Sequence, residues 1–303
     1  MKMKVGYWLC LLLAVAIPAG GQGSPARGRT ADDWKSLDLA MGRTGQDQPD
    51  GAYKYSMPRK DLKVTAGGVE LKPGLALGSW AAFKKMGTAT VVMGDLVLTE
   101  DEVAPVMSAL LSGGIAITAL HNHLLHETPR ILYMHISGKG DGTALGATLH
   151  EALGKTGTPP ASPPSAVAQP ELGIDVRQID QILGHAGKNN GGIYQVSAPR
   201  AEIVREGGMQ IPNSMGVATA LNFQPTGAGR AAITGDFVLV AAEVNPVIQA
   251  LKESGIIVTA LHSHMLNEQP RLFFMHFWAH DDAIKLARGL RAALDKTNSA
   301  SQK

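Results

Sequence analysis

Histidines recur in this chain at a spacing that suits metal coordination. His121 and His123 are separated by one residue, and the same spacing returns at His262 and His264. Because side chains alternate along an extended strand, two histidines at this spacing project from one face and can share an ion. Each pair therefore predicts part of a metal site on a strand.

Further candidate ligands follow each pair at matching distances. A glutamate and a third histidine come after each H-x-H motif, at the same two spacings in both copies. If the connecting hairpin turns near Thr128, His135 faces His121 across the ladder, with Cβ atoms about 5 Å apart. The predicted ligands are His121, His123, Glu127 and His135 in the first set, and His262, His264, Glu268 and His276 in the second.

The types of donor limit which metals would bind. Imidazole and carboxylate groups suit Zn²⁺ first, and also Mn²⁺, Fe²⁺ or Cu²⁺, and three protein nitrogens plus water form a catalytic zinc site. The only cysteine, Cys10, lies near the amino terminus, so no thiolate ligand is expected. Met134 and Met275 adjoin candidate ligands, but alternation along a strand turns them towards the core. The alternative is that the histidines are hydrogen-bonded polar residues of ordinary strands.

Two other types of residue recur in both copies. Arg130 and Arg271 could hold the carboxylate or phosphate group of a small anionic ligand, or could pair with a nearby acid. Asp95 and Asp236 each follow a glycine and are expected in turns. The arginines are therefore candidate substrate-binding residues, and the aspartates are not placed in the site.

The candidate ligands belong to an internal duplication. Residues 114–135 align with residues 255–276 without a gap, and 13 of the 22 aligned positions are identical. The match extends outward on both sides at the same offset. We predict two homologous repeat domains, over residues 32–153 and 173–296, joined by a Pro/Gly/Ser-rich linker over residues 154–172.

The hydrophobic pattern of each repeat predicts the order β-α-β-β-α. A helix that glycine stops precedes the two strands that carry the candidate ligands, and a second helix follows them. This order is typical of an α+β fold in which each repeat is a two-layer sandwich, an antiparallel sheet with helices on one face. The other face of each sheet would then be available to the ligands.

Residues 1–23 have the layout of a secretory signal peptide. A basic start with Lys2 and Lys4 leads into an apolar run, which small residues follow. The run is short for a membrane span and is broken by Pro18, so we predict cleavage and no stable span afterwards. The protein is expected to be exported, either to the periplasm or to the cell exterior.

The overall composition is that of a folded globular protein. It is 45% hydrophobic and 18% charged, with 28 Lys+Arg against 26 Asp+Glu. This near balance provides no strong positive field to attract nucleic acid or anionic lipid. A metal ion, with a small anionic ligand as a second possibility, is the expected partner.

The ligand motifs resemble those of a known family. Thr118-Ala-Leu-His-Asn-His123 and Pro129-Arg-Ile-Leu-Tyr-Met-His135, with the second copy from Thr259 to Trp278, are similar to the LppY/LpqO family of exported bacterial proteins. The likeness covers nearly the whole chain after the signal peptide. It implies export and an internally duplicated domain. It implies no catalytic residue, because the family has no assigned biochemical activity.

Two kinds of function fit these residues. The first is an exported protein that binds a metal at His/Glu sites in its two repeats without turnover. The alternative is a metal-dependent hydrolase acting on an anionic extracytoplasmic substrate, with Glu127 or Glu268 as ligand or general base. The sequence favours binding because it shows no catalytic motif beyond the ligands themselves.

Overall fold

The two repeats are built from the same elements in the same order. The computed structural model describes residues 34–161 and 169–300, so the predicted signal peptide and part of the predicted linker lie outside the described residues. Both repeats belong to one compact unit that begins at Trp34.

The elements of repeat 1 are α1 (Lys35–Met41), β1 (Gln46–Asp47), β2 (Tyr53–Pro58), β3 (Thr65–Ala66), β4 (Val69–Glu70), α2 (Pro73–Ala76), β5 (Gly78–Met86), β6 (Ala89–Thr99), α3 (Glu100–Ser112), β7 (Ala116–His121), β8 (Ile131–Gly140) and α4 (Gly142–Leu153). Those of repeat 2 are α5 (Val176–Leu183), β9 (Gly187–Asn190), β10 (Ile193–Pro199), β11 (Arg205–Glu206), β12 (Met209–Gln210), a 3-10 turn (Asn213–Met215), β13 (Ala218–Gly227), β14 (Arg230–Leu239), α6 (Ala241–Glu253), β15 (Ile257–His262), β16 (Phe273–Asp282) and α7 (Ala283–Leu294). Elements such as α1 and α5 begin 141 residues apart, whereas β3 and β5 begin 140 residues before their counterparts β11 and β13.

Each repeat forms a six-stranded antiparallel sheet with helices on one face. The strand orders are β1-β2-β5-β6-β8-β7 and β9-β10-β13-β14-β16-β15. On the helix side, Val92 and Leu96 of β6 pack in one core with Val106 and Leu110 of α3. The predicted α+β sandwich in two repeats is confirmed. No helix within the described residues is long and apolar enough to cross a membrane.

The remaining faces of the two sheets pack against each other. One apolar cluster contains Met93 of β6 and Phe274 of β16, and another contains Tyr133 of β8 and Ala232 of β14. The layers therefore run helices, sheet, sheet, helices. The face of each sheet that was predicted to be available to the ligands therefore lies at the interface between the repeats.

In each repeat a short arm, residues 59–77 between β2 and β5 and residues 200–217 between β10 and β13, contacts the other repeat. Gln224 of β13 accepts the backbone N–H of Lys72 and donates to the carbonyl oxygen of Glu70, both at 2.8 Å. In the opposite direction, the backbone N–H of Ser214 donates to a carboxylate oxygen of Asp50 at 2.8 Å. These reciprocal hydrogen bonds link the two repeats and help to hold their sheets face to face.

A buried arginine anchors the base of each arm. Arg59 donates to Glu102 at 2.7 Å, and Arg200 donates to Glu243 at 2.6 Å. Each glutamate also accepts a backbone N–H at the residue before its own helix, α3 or α6. These charge-assisted contacts tie strand, arm and helix together in both repeats.

Candidate metal centre

Six histidines meet between the two sheets, three from each repeat. They form three stacked pairs, each of which joins one histidine of repeat 1 to one of repeat 2. The ring centroids are 3.6 Å apart in the first pair and 3.7 Å apart in the other two: His121–His262, His123–His276 and His135–His264. The two ligand sets of the sequence therefore converge in a single cluster.

The backbone brings these histidines together differently from the prediction. β7 ends at His121, and His123 lies in the following loop instead of the strand, although the two ring centroids are 5.0 Å apart. The predicted register is wrong, because His121 pairs with Tyr133 and His135 pairs with Ala119. The loop between β7 and β8 is centred one residue earlier than the sequence suggested.

Two aspartates also face the cluster, and the prediction that they lie in turns is wrong. Asp95 lies inside β6 and Asp236 inside β14. Each is paired across the ladder with the third histidine of its own repeat, Asp95 with His135 and Asp236 with His276. The interior faces of two long central strands therefore contribute one carboxylate each.

The carboxylates lie close to the imidazole nitrogens. Oδ2 of Asp95 is 3.7 Å from Nε2 of His123 and 3.9 Å from Nε2 of His135. Oδ2 of Asp236 is 3.3 Å from Nε2 of His264, and Oδ1 of Asp236 is 4.0 Å from Nδ1 of His276. Each aspartate therefore adjoins histidines of more than one stacked pair.

The nitrogens that face the cluster have no hydrogen-bond partners. Within residues 34–161 and 169–300, Nε2 of all six histidines and Oδ1 of both aspartates are buried without a partner. Such atoms are rare, because each one left unpaired costs about 1–3 kcal/mol. In contrast, Nδ1 of His276 lies 2.8 Å from the carbonyl oxygen of Gly235. An N–H on Nδ1 that donates there leaves the Nε2 lone pair for a metal, as in many metal-binding histidines.

Burial keeps the imidazoles neutral and works against ionised carboxylates. Desolvation is the main cause that lowers the pKa of each cluster histidine, to about 4 for His262 and about 3 for His276. Burial also raises the pKa of Asp95 to about 7. The pKa of Asp236 lies well above its usual value because of burial and, second, the Asp95 charge. A cation in the cluster would relieve this penalty on the carboxylates.

The donor atoms converge in three groups, and within each group they lie within 4.8 Å of one another. The groups are His121, His135, His262 and His264; His121, His123 and His276; and Asp236, His264 and His276. In a tetrahedral zinc site two nitrogens lie about 3.4 Å apart, so a movement of about 1 Å or less by each donor atom would close a group around an ion. The first two groups take donors from both repeats.

The predicted glutamate ligands lie outside these groups. Glu268 is fully buried, but its carboxylate accepts the backbone N–H of Leu272 at 2.8 Å. Glu127 makes the corresponding contact with the N–H of Ile131 at 3.3 Å. Both carboxylates therefore hold their own loop, and the carboxylates that reach the histidines come from the aspartates instead.

The two arginines differ from each other. Arg271 pairs with a nearby acid, the second of the two arrangements expected, because its guanidinium donates to Glu268 at 3.2 Å. The guanidinium of Arg271 donates to the carbonyl oxygens of Met265 and Leu266, at 3.2 and 3.1 Å, and to Oγ of Ser263 at 2.8 Å. It is engaged within the loop that carries His264. Its counterpart Arg130 is exposed.

A small cavity adjoins one of the stacked pairs. Its volume is about 10 Å³, and its lining includes two histidines and three methionines: His135, His264, Met93, Met215 and Met265. The methionines that the sequence placed in the core, Met134 and Met275, are there as predicted, in the helix-side clusters.

The aspartates could have been found from the sequence. Gly94-Asp95 and Gly235-Asp236 match at the offset of the duplication, just as the candidate histidines do. A glycine followed by an aspartate is typical of a turn, so this local preference led to a turn prediction although the pair recurs in both repeats. A polar residue that recurs inside an apolar β-rich run would have been a reason to place it on the ligand face.

The fold and the site define an internally duplicated α+β protein whose repeats share one buried cluster of histidines and aspartates. Residues 35–155 and 177–296 match the family described as Domain of Unknown Function (DUF1259), and the chain belongs to that family. The match in two segments agrees with the predicted duplication, in a family of unknown function.

Two solved structures show a weak likeness. One is a trimeric bacterial microcompartment shell protein, PduB, with 11% identity, a TM-score of 0.20, and coverage of 82% of this chain and 88% of that chain. The other is EtuB from Clostridium kluyveri, with 10% identity, a TM-score of 0.19, and coverage of 82% and 90%. Scores this low carry no argument about fold or function. No curated protein matches the chain.

Proposed function

We propose that the six histidines and two aspartates form a composite centre that binds one or two divalent transition-metal ions. The observation that carries the proposal is the convergence of six buried Nε2 atoms that have no hydrogen-bond partner within the described residues. Metal ligation would use these lone pairs and remove the cost of leaving them unpaired.

The charges around the cluster support a cation. Asp95 and Asp236 are both largely buried, and each lies within 4 Å of an imidazole nitrogen. Moving a carboxylate out of water costs several kcal/mol unless an opposite charge compensates it. A divalent ion among neutral imidazoles supplies that charge.

Zinc is the metal that we expect first, with manganese, iron and copper as the other candidates. Each group offers three or four nitrogen and oxygen donors, the number and type that protein zinc sites use. Because two groups combine both repeats, the complete ligand set depends on the packing of one repeat against the other.

The surroundings favour binding over the hydrolase that the sequence raised as an alternative. The cavity beside His135 and His264 has a volume of about 10 Å³, close to the space for a single water. Arg271, the proposed anchor for an anionic substrate, is hydrogen-bonded within its own loop. A hydrolase needs room for its substrate beside the ion and a group that orients it.

We further propose that the protein is exported to the periplasm or the cell exterior and is a member of the LppY/LpqO family. The layout of residues 1–23 supports export. The motifs around His121–His135 and their second copy support the narrower family assignment.

Elemental analysis of the purified protein after zinc loading and dialysis tests the proposal. We expect at least one tightly bound ion per chain, and a loss of most of it in the double variant His121→Ala/His123→Ala. The matched control is His280→Ala, because His280 contacts Thr226 and is not part of the cluster. Equal metal content in all three folded proteins would overturn the proposal.

A further inference from the structure

The cavity beside the His135–His264 pair has an unusual lining. Besides the two histidines, its lining includes Met93, Met215 and Met265. All three methionines are buried, at 6%, 1% and 1% exposure, and so are both histidines. Residues with soft sulfur and borderline nitrogen donors thus line a space of about 10 Å³.

The duplication provides an internal reference for this lining. The residues that correspond to Met93, Met215 and Met265 in the other repeat are Thr234, Leu75 and Leu124. None of these three has a sulfur atom, although the histidines at both places are the same. The fold therefore does not require methionine at these positions, and the sulfur is confined to one of two related pairs.

We propose that the His135–His264 pair and the thioethers of Met93, Met215 and Met265 form a subsite for monovalent copper. The inference rests on the proposed metal-binding function and names the ion that one part of the cluster selects. Thioether sulfur favours Cu(I) over zinc, manganese or iron, whereas imidazole alone binds several of them. An enclosed apolar lining also suits a singly charged ion, whose desolvation costs less than that of a divalent ion.

The three methionines also pack in an apolar cluster with residues such as Phe274 and Val238, which is the competing explanation. Methionine fills irregular gaps in cores without binding anything. Substitution by leucine separates the two explanations, because leucine keeps the volume and removes the sulfur.

The experiment measures Cu(I) and zinc binding to the purified full chain without oxygen, using a colorimetric Cu(I) chelator as competitor. Copper-edge X-ray absorption then reports whether sulfur lies in the ligand shell. The test variant is Met93→Leu/Met215→Leu/Met265→Leu. The control is Met57→Leu/Met134→Leu/Met275→Leu, three equally buried methionines of the helix-side cores.

We expect sulfur ligands in the wild type and in the control. In the test variant, Cu(I) binding should weaken by about tenfold or more, while zinc affinity changes by less than about threefold. If the triple variant does not fold, the single variant Met265→Leu and the reverse change Leu124→Met take its place. The second should raise Cu(I) affinity by adding a thioether beside His123 and His276.

The outcomes distinguish this inference from the proposed function. Zinc bound through the histidines, with no sulfur around copper and no loss in the test variant, would overturn the copper subsite alone. A wild-type protein that binds neither metal would overturn both.

Discussion

The His135–His264 pair and the His123–His276 pair are equivalent by duplication, yet their surroundings differ. Their ring centroids are the same 3.7 Å apart. The first adjoins a methionine-lined cavity, and the positions that correspond to those methionines carry no sulfur. The donors themselves have stayed the same while the residues around them diverged, so one symmetric scaffold can present two chemically different subsites.

The largest effect that we predict comes from removing one histidine of each pair. His264→Ala should weaken Cu(I) binding by about 100-fold, because it removes a direct ligand of the methionine-lined subsite. The equivalent change His123→Ala should weaken it by less than about threefold. Competition titrations with folded, thermally characterised variants measure both. Equal losses would mean that the two pairs do not differ in the way the linings suggest.

Asp95 adjoins both the His123–His276 pair and the His135–His264 pair, so its substitution should affect metal binding at both. Asp95→Asn should lower zinc affinity by about 10- to 100-fold, the range found for groups that support metal ligands. Without metal, the free energy of unfolding of this variant should exceed that of the wild type by about 1 kcal/mol or more at neutral pH, because the buried charge is removed. Isothermal titration calorimetry measures the expected loss of zinc affinity, and chemical unfolding measures the expected gain in stability. The exposed Asp101→Asn is the matched control, and a variant that loses stability without metal would contradict the prediction.

A smaller effect, on the pH dependence of stability, is expected from a lysine that repeat 1 has and repeat 2 lacks. Lys54 donates to the carbonyl oxygen of Ser214 at 3.0 Å and lies over the ring of Trp80, whereas its counterpart Gln195 is uncharged. Burial lowers the pKa of Lys54 to about 8, although Asp50 and Asp95 oppose the shift; Lys188 adds slightly to it.

The unfolded chain therefore holds the Lys54 proton more tightly between pH 8 and the usual value near 10.5. In this window the free energy of unfolding of the wild type should rise with pH relative to that of Lys54→Gln. Urea unfolding of both proteins at several pH values measures the difference. Parallel curves would show that Lys54 is not penalised by burial.

The repeat architecture could be predicted because it depends on local pattern. The alternation of apolar residues, the glycine stops and the matched positions identified two α+β repeats, and the histidines of both motifs lie in the cluster. The placement of Met134 and Met275 in the core followed from alternation along β8 and β16 in the same way. These features can be predicted because side chains alternate along a strand and an amphipathic helix buries one face.

The errors arose where a local preference competed with the sheet. Gly94-Asp95 has the composition of a turn, but it lies within β6, where a Cβ at Gly94 would be 2.6 Å from the carbonyl oxygen of Trp80. Glycine is needed there for close packing and not for a bend. Glu127 and Glu268 were expected among the ligands from spacing alone, but they hydrogen-bond the loop backbone that spacing cannot describe.

By itself, the sequence determined which residue types are available and that they occur twice, because composition and spacing are properties of the chain alone. Only the tertiary structure decided that the two sets form one cluster, that aspartates replace the glutamates beside it, and that sulfur lies on one side. Those facts depend on packing one sheet face against another. Face-to-face packing joins residues separated by more than a hundred positions, and no local pattern records which of them will touch.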